Sequence, residues 1–299
     1  MLASSDTGVP REGDVRLDHE TSTLLRIVRQ AAREHVLLGF RRLSPAQVHV
    51  KSGPEDLVTD ADRGAEVAIE RAVRAAFPDA SVVGKEAVAA DASLLERIDG
   101  PGTCVVVDPI DGTHNYASGL ALFGMIVAVV EAGETRLGLL HDPIGDDAVV
   151  AVRGAGTWLI GASGGAERLH VRTPPARAKP SGYVPLHLMD PGRQRRAAGR
   201  LAGYGRTATL SCSCHEYRTL ALGHADFCIG VRAWPWDHAA GVLAVREAGG
   251  VAVRSDGEPY QPGRHDGSVI TAVSGEVLAR VRDDFGLLRP EPSSIAETA

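Results

Sequence analysis

Two aspartates stand at the end of an apolar run, Val105-Val106-Val107-Asp108-Pro109-Ile110-Asp111-Gly112-Thr113-His114-Asn115. Proline cannot donate to a β-ladder, so the chain is expected to turn directly after Asp108. Such a turn brings both carboxylates and the Ile110 carbonyl to one side. All three are hard oxygen donors, the type that Mg²⁺ prefers. Gly112 lets backbone amides approach a ligand closely, and a helix starting near Thr113 would aim its N-terminus at an anion. Asp-Pro-x-Asp-Gly is also a good turn sequence, so these residues alone leave a metal site and a plain turn both open.

A second segment with chemical content is Trp234-Pro235-Trp236-Asp237-His238-Ala239-Ala240-Gly241. Asp237 falls where a helix begins, and N-cap duty is the ordinary job of Asp there. The two tryptophans fit a shaped pocket wall or a piece of core. His238 by itself reads as a core or partly exposed histidine rather than a ligand. Further upstream, Thr59 and Asp62 have the spacing of a capping box, with Asp in place of the usual Glu.

These segments need a scaffold, and periodicity supplies its outline. Leu24, Leu25, Val28, Ala31, Ala32 and Val36 recur at helical spacing, predicting a helix from Thr21 to about Phe40. A second helix is expected from Ala61 to Phe77, stopped by Pro78-Asp79. Val82-Val83 and Thr103 to Val107 read as buried strands. Gly119 to Glu131 and Thr135 to His141 read as a hairpin, followed by a strand at Ala148 to Val152. Helices at Ser211 to Gly223 and Ala239 to Ala248, strands at Val251 to Arg254 and Val269 to Val273, and a helix at Glu276 to Phe285 complete the series. Strands that follow one another by hairpin among mixed helices argue for an α+β or layered α/β fold rather than a strictly parallel wound sheet. A weak boundary between Ser163 and Gly182 divides the chain. The expected organisation is a disordered segment 1–20, an N-terminal α+β portion 21–180, a smaller C-terminal portion 181–288 and a tail 289–299.

Composition narrows the function classes. The 299 residues are 44% hydrophobic and 23% charged, ordinary for a globular protein, and only 4% aromatic, so the core must rest on Ala, Val and Leu. A net charge of -6 offers no surplus to neutralise phosphates, so no nucleic-acid partner is expected. The dense basic stretch Arg193, Arg195, Arg196 and Arg200 reads as a solvated helix face. No apolar run reaches the roughly 18 residues of a membrane span, and Met1 to Gly13 carries no signal-peptide core. Cys104, Cys212, Cys214 and Cys228 match neither a disulfide framework nor a zinc site. A cytoplasmic protein with reduced thiols and no membrane contact follows, its cysteines acting as small buried filler, with a redox role for Cys212-Ser213-Cys214 as the less favoured alternative.

Taken together, the motifs resemble the inositol monophosphatase family. Asp-Pro-x-Asp-Gly-Thr-x-Asn occurs at Asp108 to Asn115, and Trp-Asp-x-Ala-Ala-Gly at Trp236 to Gly241, in the right order. Lys51 to Asp62, Gly138 to Pro143, Gly154 to Thr157 and Glu247 to Gly250 match further, so the likeness runs from about Leu24 to Val281. It implies a layered αβαβα sandwich and Mg²⁺-dependent hydrolysis of a small phosphorylated metabolite. It also implies a homodimer. By the same resemblance Asp108 bridges two metals, the Ile110 carbonyl binds the first, Asp111 the second, and Asp237 the second from the other side. Backbone amides at Gly112 and Thr113 hold phosphate oxygens, Thr113 orients the attacking water, and Asp62 sits near a third, weaker metal position. Arg232, Trp234, His238, Tyr183, Arg206 and Glu216 are candidate pocket residues by position. Inositol phosphate, fructose bisphosphate, histidinol phosphate, adenosine bisphosphate and other sugar phosphates all stay open as substrates.

One position departs from the pattern. Where the family carries Gly-Glu-Glu, this chain has Gly84-Lys85-Glu86, so Lys85 stands at the place of a metal-binding glutamate. A protonated lysine has no lone pair for a metal. Three outcomes follow: Glu86 supplies the missing carboxylate; Lys85 itself neutralises the phosphate and leaves a one- or two-metal enzyme; or the chain is a weak or inactive phosphatase. The last would be kept as a binding protein or for another reaction class that reuses the phosphate pocket.

Overall fold

A computed structural model describes residues 17–51, 57–175 and 178–285. The Val-rich runs form a seven-stranded sheet in chain order: Ser81–Gly84, Thr103–Asp111, Gly124–Glu131, Glu134–Asp142, Asp147–Val152, Gly156–Ile160 and Ala166–Leu169. Its first pair is parallel and the rest antiparallel. Alternation sends Val105, Val107, Val127, Val129, Leu137 and Leu139 to one face, against the helices His19–Ala31 and Asp60–Ala76. Val106, Ile126, Ala128, Val130 and Leu140 go to the other, where Ser213–Ala221 and Pro235–Glu247 pack.

Those two helices lie between the large sheet and a five-stranded one, ordered Thr207–Ala208, Gly182–Tyr183, Phe227–Gly230, Val269–Ala272, Val251–Arg254. The helix Gly275–Phe285 covers the smaller sheet and packs against Pro191–Arg200, which bears the arginine stretch. The result is the layered αβαβα arrangement. A helix between two sheets is apolar on every side, as Ala239, Ala240, Val242, Leu243, Ala244 and Val245 are. Small residues let it approach: a Cβ on Gly241 would lie 2.1 Å from the Tyr217 ring.

Several boundaries differ from expectation. The first helix begins at His19, because Asp18 accepts the Thr21 N–H at 2.7 Å as its N-cap, and it widens into a π turn at Ala32–Val36. The hairpin strand starts at Gly124 rather than Gly119, and its turn is Ala132-Gly133, both at positive φ, as a two-residue hairpin requires. The stretch Ser163 to Gly182 is not plain linker; it holds Ala166–Leu169, the last strand of the large sheet. Residues 1–16 and 286–299, which include most of the expected N-terminal segment and the whole tail, lie outside the described residues. No helix among the described residues is long and apolar enough to cross a membrane.

Candidate active site

The strand Thr103–Asp111 does not turn at Asp108. Asp108 pairs with Ile126, the register slips, and Asp111 pairs with Gly124, so Pro109 and Ile110 sit in a bulge. A bulge absorbs the N–H that proline lacks and re-aims the side chains beside it. Gly112 then adopts φ 80°, which few other residues tolerate, and caps the short helix Thr113–Ala117. Asn115 fixes the turn by donating to the carbonyls of Leu122 at 2.8 Å and Leu210 at 2.7 Å.

Asp237 arrives from the middle layer. It is not the N-cap: Trp234 holds that place, Pro235 is the first helical residue, and Asp237 projects from the first turn. Trp234 and Trp236 stack with centroids 5.0 Å apart, and His265 stacks on Trp234 at 5.4 Å. Asp108, Asp111 and Asp237 each place one carboxylate oxygen so that all three lie within 4.8 Å of one another. Asp111 is held by the Cys214 N–H at 2.5 Å and the Cys212 thiol at 3.3 Å.

The capping box forms: Thr59 caps Asp60–Ala76 and Asp62 reaches back to the Thr59 N–H at 2.8 Å. The other oxygen of Asp62 lies 3.2 Å from Thr113 Oγ1, which is also 2.8 Å from the Ile110 carbonyl. Thr113 has one proton to give, so its hydroxyl is shared between these two acceptors.

Lys85 is the first residue of the helix Lys85–Ala90. Its Nζ contacts both Asp108 oxygens, at 2.9 and 3.2 Å. Glu86 does not replace the missing carboxylate, because it is paired with Lys51 at 2.6 Å. Glu66, which sequence reading passed over, accepts the N–H groups of Glu86 and Ala87 at 2.8 Å each and so fixes the start of this helix. The signal was an acid on the apolar face of Asp60–Ala76, among Ala61, Ala65, Ile69 and Val73.

Burial dominates the electrostatics. It pushes Asp62 and Asp108 up to about 6, with Lys85 pulling both back down. Asp111 is driven well above the usual carboxylate range by burial and then by Asp108 and Asp237. Asp237 is raised by burial, eased by Lys85 and by a hydrogen bond with Asp108. Burial also opposes the Lys85 ammonium, but Asp108, Asp237, Asp111 and Asp62 outweigh it and hold the proton on. Three buried carboxylates and the half-buried Asp237 thus face one ammonium. That surplus of hard, ionisable oxygen suits a small divalent cation.

A cleft of about 1030 Å³ opens beside the cluster, lined by Lys85, Asp111, Gly112, Thr113, Arg232 and Trp234 among others. His238 and Glu216 reach its wall but are committed elsewhere. His238 bridges the Tyr217 hydroxyl at 2.9 Å and the Arg232 carbonyl at 2.6 Å, and burial lowers it to about 4. Glu216 accepts the Leu210 N–H at 2.8 Å and holds that loop. Tyr183 and Arg206 are not in the wall; the Tyr183 hydroxyl accepts from Thr219 at 2.9 Å. The four cysteines are buried free thiols, and burial raises all four.

The same architecture occurs among solved structures. The chain superposes on an IMPase from Thermotoga maritima with a TM-score of 0.75 at 24% identity, covering 91% of this chain and 98% of that one. In sequence it is 31% identical, over 71% of its length and 76% of the relative's, to a fructose-1,6-bisphosphatase/inositol-1-monophosphatase of Thermotoga maritima. It is 29% identical, over 87% and 96%, to the Nus factor SuhB of Pasteurella multocida. The model of the inositol monophosphatase family matches residues 17–284, and the chain belongs to that family.

Proposed function

We propose that the protein is a Mg²⁺-dependent phosphomonoesterase acting on a small phosphorylated metabolite. The convergence of Asp108, Asp111 and Asp237 within 4.8 Å at the edge of the cleft carries this reading. These carboxylates are the residues that would hold the ion, with the Ile110 carbonyl as a further oxygen donor. A bound divalent ion supplies charge neutralisation and a more acidic water. The chain's own groups do the rest. Amides at Gly112 and Thr113 receive the phosphate oxygens at the start of the helix Thr113–Ala117. Thr113 Oγ1 orients the attacking water, and Asp62 behind it, at about 6 and so ionised at neutral pH, takes up the proton. Water adds to phosphorus as the ester P–O bond breaks, and the leaving alkoxide takes a proton from solvent water and departs as an alcohol. Arg232, exposed at the cleft, suits a substrate with a second anionic group.

Phosphate release from a panel of phosphomonoesters, with Mg²⁺ titrated from zero, tests the reading. Release that depends on Mg²⁺ and disappears in Asp237→Asn supports it; none from any substrate overturns it. The Lys85–Asp108 ion pair favours a second reading, a chain that binds phosphorylated ligands without turnover. Thermal stabilisation by a panel member with no release of phosphate would support that one instead.

A further inference from the structure

We infer that Lys85 is a built-in cation that restricts the acidic cluster to a single divalent ion. The inference rests on the phosphomonoesterase reading and says how its metal site is built. Lys85 Nζ spans both oxygens of Asp108 at 2.9 and 3.2 Å, the position of a counter-ion for that carboxylate. The helix start that carries Lys85 is fixed from behind by Glu66, which packs so closely on Gly84 that a Cβ there would lie 2.2 Å from the Glu66 carboxyl carbon. The neighbouring acid that could have offered a fresh ligand, Glu86, is taken by Lys51. Asp108 therefore shares its charge with an ammonium tethered to the chain beside it. Asp111 and Asp237, with the remaining lone pairs of Asp108, form one pocket of oxygen donors rather than two.

Charge acts in the same sense: a dication beside an ammonium meets twice the repulsion of two unit charges at the same distance, so the ion nearest Lys85 Nζ is the one disfavoured most. Lys85 Nζ places its positive charge directly against Asp108. It has three donors, two of them turned to Asp108, and its side chain is 21% exposed on the cleft, which leaves one N–H for a phosphate oxygen.

Equilibrium dialysis of the whole chain with Mn²⁺ tests this, with electron paramagnetic resonance reading the bound ions. The wild type should hold one Mn²⁺ per chain, and Lys85→Glu should hold two. Lys85→Gln, neutral and of similar size, should bind the first ion at least tenfold more tightly; it keeps the test decisive if the glutamate variant folds poorly. Two ions on the wild type, or an unchanged affinity in Lys85→Gln, overturns the inference and leaves the phosphatase reading intact. A wild type that releases phosphate yet binds no Mn²⁺ overturns the inference as well, and with it the metal dependence of the reading.

Discussion

Raising the pH from 6.5 to 8 in the presence of a chelator should weaken the fold. Glu66 and Glu216 are both pushed up to about 7 by burial, against an ordinary 4.5. Between those values the folded chain keeps protons that the unfolded chain has lost, so stability declines as pH rises and levels off above the folded value. For each group the decline across pH 6.5 to 8 is about 0.8 kcal/mol, from a 1.36 kcal/mol weight per unit. Asp111, raised well beyond the ordinary range, adds in the same direction. His141 and His238, lowered to about 4, pull the opposite way: each is half charged in the unfolded chain at pH 6.5 and returns about 0.4 kcal/mol across the window. The two glutamates amount to about 1.5 kcal/mol, and net of the histidines about 0.8 kcal/mol remains, or about 1–2 °C in Tm for a domain of this size. Circular-dichroism melts in EDTA at half-unit steps measure it. Glu216→Gln should remove about half of the glutamate share, and Mg²⁺ should stabilise more at pH 8 than at 6.5. A Tm in EDTA that stays level or climbs across the window refutes the argument.

Other perturbations address single residues. Asp237→Asn should abolish Mg²⁺-dependent phosphate release while the far-ultraviolet spectrum is kept; activity within tenfold of wild type would remove Asp237 from the site. Thr113→Ala should lower kcat by about 100-fold or more, the usual weight of a positioned proton-transfer group, with a smaller effect on KM. Gly112→Ala should destabilise by about 1–2 kcal/mol from its positive φ alone, and more from the Leu122 carbonyl 2.9 Å from the new Cβ, read by urea denaturation. Asn115→Ala strips partners from two carbonyls and should cost about 1–3 kcal/mol in the same assay.

Legibility in the sequence followed the range of the interactions. Strands such as Val269–Ala272, and the Val-rich run from Thr103, declare themselves through local pattern because each is buried on both faces. Gly182–Tyr183 and Thr207–Ala208, two residues each, carry no pattern; distant partners create them. In the site, the turn glycine and the capping box were readable because their hydrogen bonds close within a few residues. The bulge at Pro109 was not, since only pairing beyond it with Gly124 reveals that the strand continues. Lys85 stood out as a change of charge, yet its geometry depended on Glu66, which holds the next residue's N–H from 20 positions away and whose role has no local marker. His238 and Glu216 looked like pocket residues by position, whereas buried hydrogen bonds had already claimed both.

The meeting of Asp111 and Asp237 joins a strand of the seven-stranded sheet to the helix between the sheets, segments separated by more than about a hundred positions of chain. Any ion gripped by both is therefore a reversible clasp across layers, closing a long loop as a cross-link would. Its grip adds to the barrier against opening by mass action, so ion concentration becomes a setting for the lifetime of the fold. Proteolysis in chelator and in excess Mg²⁺ would then cut at different rates, with the first cleavages in the middle helix or the loop before it. The same contact that arranges a reaction would also decide how long the layers stay together.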